Sequence, residues 1–193
     1  MLEINKREKI TKGEYILHQT SFRKMIILAI LIALSSMLSY FDGYICSFIS
    51  FGLIRYKLGL ANIVIMVILY NYNFRSTILA VVIKSLIVGL LFGPTGIVTF
   101  IISLFGSILS AIGMYIFKKI LTKARFTPFI GVIGGFLHPI GQIIGAISIY
   151  GFKEFFKASL ITAPVMLMLG IITGFIVGLS AQRINKYLEN KIN

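Results

Sequence analysis

Acidic side chains are what this chain has least of. Six Asp and Glu stand against nineteen Lys and Arg in 193 residues, a formal net charge of +13. The only aspartate is Asp42, so the paired acidic motifs that hold magnesium and diphosphate in prenyl transfer cannot form. Charged residues of both signs reach only 13%, against about 25% in a soluble domain. The single cysteine, Cys46, excludes an intramolecular disulfide and any multi-cysteine metal site. It reads as a small apolar residue. Two histidines, His18 and His138, are too few for a histidine-rich metal or haem centre. No P-loop pattern occurs, so the chain carries no ATPase of its own. Neither an enzyme nor a resident metal or cofactor is expected.

What the chain has in excess is apolar surface. Hydrophobic residues make up 58% of it and the mean hydropathy is +0.95, so most of its surface must meet lipid. The basic residues lie between hydrophobic runs rather than along one face, which argues for a bilayer partner and against nucleic acid. Hydrophobic windows predict six spans: Met25–Tyr40, Leu58–Tyr72, Phe74–Phe92, Ile97–Phe117, Phe129–Tyr150 and Ala158–Ala181. Each approaches the roughly 20 residues that cross a bilayer core of about 30 Å. The second is short, and the apolar stretch Tyr44–Ile54 before it is a candidate interfacial or re-entrant segment. The expected fold is an all-α bundle of six transmembrane helices over residues 25–182, between tails 1–24 and 183–193. No cleaved signal peptide is read before Met25.

Basic residues orient the bundle. With the N-terminus inside, the cytoplasmic side collects the six of the first tail, Arg75, Lys118, Lys119, Lys123, Arg125, Arg183, Lys186 and Lys191. The outer side collects only Arg55, Lys57, Lys153 and Lys157. By the positive-inside rule both termini are cytoplasmic.

Lys84 stands apart from both groups, near the middle of the third span. A lysine at the bilayer centre costs roughly 2.5–3.5 kcal/mol on insertion scales, and is tolerated where it faces protein or a water-filled cavity. His138 lies near the middle of the fifth span, with Gln142 one turn later on the same face. Gly131, Gly134, Gly135, Gly141 and Gly145 broadly share that side. Asn62 adds an amide in the second span, with Lys57 and Arg55 at its outer entrance. Together these form an inward polar cluster, although His138, Asn62 and Gln142 each also fit interhelical hydrogen bonding. No carboxylate falls inside the six windows, so the partner of Lys84 is open: a bound anion, a backbone carbonyl, or loss of its proton. Small residues mark close helix packing: Ala29 and Ala33; Ser103, Gly106, Ser110 and Gly113; Gly170, Gly174 and Gly178.

The run Arg55-Tyr56-Lys57-Leu58-Gly59-Leu60-Ala61-Asn62-Ile63-Val64 resembles the Lys-Leu-Gly-Leu-Ala-Asn signature of the Gx transporter family. Lys84, the following Gly89-Leu90-Leu91-Phe92-Gly93, and His138 with Gln142 fit the same family. The likeness covers roughly residues 24–183. Members are often labelled heptaprenyl diphosphate synthase component I, and they look like the substrate-binding S components of energy-coupling factor transporters. The resemblance implies a bacterial plasma-membrane protein that binds a small, anionic or vitamin-like metabolite through Lys57, Asn62, Lys84, His138 and Gln142. It also implies docking of a coupling transmembrane subunit on Ala29 and Ala33, with two ATPases behind it. Lys84 stands where the family leads one to expect arginine, which removes bidentate anion recognition. Pro139 is expected to distort the fifth helix. The alternative is a non-transport membrane subunit of an isoprenoid or quinone complex, or of a flavin-linked extracellular electron-transfer complex. There the small-residue faces would bind partner proteins.

Overall fold

The computed structural model describes residues 2–49, 57–153, 155 and 162–192. Six α-helices are present among them: α1 Leu2–Ile49, α2 Asn62–Asn71, α3 Phe74–Leu91, α4 Gly96–Ile120, α5 Thr127–Tyr150 and α6 Thr162–Ile192. Short 3-10 turns at Gly93–Thr95 and Ala124–Phe126 lead into α4 and α5. No strand occurs among the described residues. The chain divides into two compact units, Met1–Leu31 and Ile32–Asn193. The first is the leading part of α1. The second holds its remainder and the other helices.

Five helices carry apolar windows of 18 to 27 residues, long enough to cross a membrane. The exception is α2. Its ten residues reach about 15 Å at 1.5 Å per residue, half the thickness of a bilayer core. The expected span Leu58–Tyr72 is therefore an irregular stretch, Lys57–Ala61, followed by half a helix. Gly59 makes the break, since its φ of +87° is open to glycine and strained for other residues. Seven of the ten α2 residues are buried, including Val64 to Leu69 without interruption. A helix apolar all round belongs inside a bundle, and α2 packs against α3, α4, α5 and α6. Its exit is equally local: Asn73 caps α3 by accepting from the Ser76 amide at 2.8 Å.

The first apolar segment runs further than its window suggested. Its span is Phe22–Cys46 rather than Met25–Tyr40, within a helix that continues to Ile49. Asp42 thereby falls inside a span, which corrects the expectation that no carboxylate does. Tyr44–Ile49 are helical. Residues 50–56, which hold Arg55 and the rest of the candidate re-entrant segment, lie outside the described residues.

Glycines on two sides of α5 set the packing of its neighbours. A Cβ on Gly131 or Gly135 would strike the backbone of Gly170, Gly174 and Gly178 in α6. One on Gly141 would strike Phe105 and Gly106 of α4, and one on Gly145 would lie 3.1 Å from the Ile102 Cα. Helices in lipid gain little from mutual apolar burial, so close backbone contact of this kind is what holds them. The Gly170–Gly178 face is thus covered by α5 within the chain. Helix α5 runs unbroken through Pro139, whose ring fills the space beside Gly170, 2.8 Å from where a Cβ would sit.

Candidate functional site

The stretch Lys57–Ala61 lies in the interior, beside the middle of α5, and is held from three helices. From α1, the buried Asp42 carboxylate accepts the amides of Leu58 (3.0 Å), Gly59 (2.7 Å) and Leu60 (3.2 Å). Three successive N–H groups converging on one carboxylate form a cradle of the kind that backbone uses for anions. From α5, the Gln142 side chain imitates a paired strand. Its Oε1 accepts the Lys57 amide at 2.9 Å, and its Nε2 donates to the Lys57 carbonyl at 2.8 Å. From α6, the Thr173 hydroxyl donates to the Leu58 carbonyl at 3.0 Å. Asn62, just beyond the loop, donates through Nδ2 to the Ser110 hydroxyl of α4 at 3.2 Å. Buried irregular backbone must have its polar groups satisfied, and here side chains from three helices contribute.

Thr173→Val keeps the shape and removes only the hydroxyl. It should leave the Leu58 carbonyl short of a donor, costing about 1 kcal/mol and lowering the melting temperature by ~2–4 °C. A thermal melt of the purified protein in detergent checks this.

The two lysines are both inside. Lys57 is 3% exposed rather than at an outer entrance. Its ammonium lies 3.4 Å from the Ser39 hydroxyl and 5.6 Å from the Phe92 ring centre. Lys84 is 1% exposed and donates to the Ser107 hydroxyl at 2.7 Å, so its protein partner is a serine on α4. Asp42, Lys57 and Lys84 are all buried.

His138 is packed against the signature loop. A Cβ on Gly59 would lie 2.9 Å from the His138 ring and 3.0 Å from the Asn62 amide, so only glycine fits there. On its other side the ring meets Gly106 of α4, where a Cβ would lie 3.1 Å away. Gly106 adjoins Ser107, which carries Lys84, so α4 brings Lys84 and His138 into one neighbourhood. His138 Nδ1 and Asn62 Oδ1 are buried with no hydrogen-bond partner. The chain therefore leaves two buried acceptors beside its central glycine.

Four of the five expected binding residues are thus gathered around Lys57–Ala61 by direct contact, and Lys84 joins them through α4. Asp42 is the residue that sequence reasoning missed. Its signal was present: Ser35, Ser39, Asp42 and Cys46 recur at three- and four-residue spacing, and all four are buried. That inward polar stripe runs past Tyr40. Ala29 and Ala33 are exposed on α1. Among the described residues no group of three His, Cys, Asp or Glu side chains is placed to hold a metal.

Apolar side chains cover the outside of the helices, Leu90 (75%), Ile97 (78%) and Met168 (69%) among the most exposed. With five long apolar helices and a polar interior, the chain is a polytopic α-helical membrane protein. It belongs to the family described as heptaprenyl diphosphate synthase component I, whose model matches residues 31–184. No curated protein and no solved structure matches the chain.

Proposed function

We propose that this chain is the membrane-embedded, substrate-binding subunit of an energy-coupling factor type transporter, taking up a small anionic metabolite. The observation that supports the reading best is the broken second span. Transporters commonly place substrate near the middle of the membrane, beside a discontinuous helix whose N-terminal end is positive. Helix α2 starts at mid-bundle, after five non-helical residues, next to two buried lysines and an unpaired histidine nitrogen.

On this reading Lys84 is the charge partner of the ligand and His138 its hydrogen-bonding neighbour. Asn62, Lys57 and Gln142 shape the loop that borders it. The substrate arrives from outside across the plasma membrane of a bacterium, with both termini cytoplasmic, as the basic residues indicate. The exposed Ala29–Ala33 face of α1 receives the coupling subunit, and two ATPases supply the energy.

The family's description favours a second reading, in which the chain is the non-catalytic membrane component of a prenyl-diphosphate synthase. A flavin-linked electron-transfer complex is a further variant of that partner role. One experiment separates these. A tagged chain purified from its native membrane should bring down a coupling subunit and two ATPases. Recovery of a prenyl synthase or redox partner instead would sink the transport reading. In a thermal-shift screen of small anions, Lys84→Met should abolish the stabilisation given by any ligand found. An unchanged shift removes Lys84 from the site.

A further inference from the structure

A polar cavity of about 370 Å³ opens between the ends of α2, α5 and α6, away from the signature loop. Tyr70, Ala124, Thr127, Gln182, Asn185 and Lys186 line it. None of the six is acidic.

Its hydrogen bonds leave a donor without an acceptor. The Val67 carbonyl can only accept, so it fixes the Asn71 amide with Nδ2 toward it, at 2.9 Å. Asn71 Nδ2 also donates to Asn185 Oδ1 at 2.9 Å. That fixes the Asn185 amide in turn, and its Nδ2 is left buried with no partner. Two acceptors nearby are already engaged: the Ala124 carbonyl takes Thr127 Oγ1 (2.7 Å) and Gln182 Nε2 (3.0 Å), and Thr127 Oγ1 takes the Tyr70 hydroxyl (3.4 Å). Lys186 adds an exposed ammonium at the rim. The first turn of α5 has no side-chain cap, and the helix dipole adds partial positive charge at the same end. A cavity with an unpaired donor, positive charge and no acidic side chain in its lining suits an anion.

The setting says which kind. This end of the bundle also carries Arg75, Lys118, Lys119, Lys123, Arg125 and Arg183, at the start of α3, the end of α4, the α4–α5 connection and the end of α6. Tyrosines mark the same level: Tyr70 under the Lys118 ammonium and Tyr115 under that of Lys119, each 4.6 Å away. Tyrosine and lysine at the ends of apolar helices define headgroup depth, and basic pockets between helices there suit phosphate-bearing lipids. We infer that this cavity binds the phosphate of an anionic lipid headgroup, with Asn185 Nδ2 and Lys186 as its donors.

The test uses the full chain, purified in a neutral detergent and melted with added phosphatidylglycerol, phosphatidylcholine, or inorganic phosphate at matched ionic strength. Phosphatidylglycerol should raise the melting temperature of the unsubstituted chain by about 5 °C, and phosphatidylcholine should not. Asn185→Asp keeps the oxygen that Asn71 needs and turns the bare donor into an acceptor; it should lose most of the shift. Lys186→Gln, at an exposed position, should lose about half and carries the test alone should the first variant fail to fold. Equal shifts from the two lipids, or a full shift retained in Lys186→Gln, overturns the proposal. A shift reproduced in full by inorganic phosphate overturns the lipid as its source and leaves a soluble phosphate.

Discussion

Asp42→Asn should lower the melting temperature of the purified protein by on the order of 10 °C, although it changes one atom. Both carboxylate oxygens are in use, Oδ1 by the Leu58 amide and Oδ2 by those of Gly59 and Leu60. Asparagine keeps one oxygen and must turn its NH₂ toward at least one backbone N–H, donor against donor, in a place water does not reach. Hydrogen bonds to a charged group contribute about 1.5–3 kcal/mol each. For a chain of this length each kcal/mol moves the midpoint by ~2–4 °C. A drop of less than ~3 °C would mean that the carboxylate is not what holds the loop.

The importance of Asp42 was hidden by how hydropathy is read. The windows find α3, α4 and α5 to within three residues, because long apolar runs flanked by Arg75, Lys118 or Arg125 have sharp edges; the sixth, Ala158–Ala181, begins outside the described residues, and α6 runs past its end to Ile192. An averaging window ends at Tyr40 because Asp42 and Gly43 lower the mean, yet the helix continues with Asp42 turned inward. The same averaging hides the truncation of α2. Leu58, Leu60 and Ala61 are apolar whether their backbone is helical or not, and only the positive φ of Gly59 ends the helix there. The inward face of α5 was legible, since glycines beside His138 and Gln142 can only mean close neighbours. What those neighbours are was not. Gln142 meets Lys57 across 85 positions of sequence, and no local pattern encodes that pairing.

That pairing yields the other large effect. Gln142→Leu preserves volume and removes both bonds to Lys57, leaving its amide and carbonyl buried and unpaired. At about 1–3 kcal/mol for each orphaned group, the melting temperature should fall by roughly 8–15 °C. The outcome also decides between two roles for the glutamine. A residue that only touches substrate would leave the ligand-free melt unchanged and abolish ligand stabilisation; a clamp lowers the ligand-free melt itself. Gly106 favours the clamp, because α4 backs the Gln142 stem so closely that a Cβ there would lie 2.8 Å from its Cγ. The side chain has little room to swing toward anything else. Since Gln142 grips Lys57 and Asp42 the adjoining Leu58, Gly59 and Leu60 of one five-residue loop, either substitution should loosen the bonds that the other removes. The double variant should then be more stable than the sum of the two losses implies, by about 1–3 kcal/mol, in the range measured for coupled neighbours. Strict additivity would mean that the two side chains hold separate pieces of structure. Sub-additivity would make the loop a single cooperative element, one that a ligand beside Lys84 and His138 must either fit or displace as a whole.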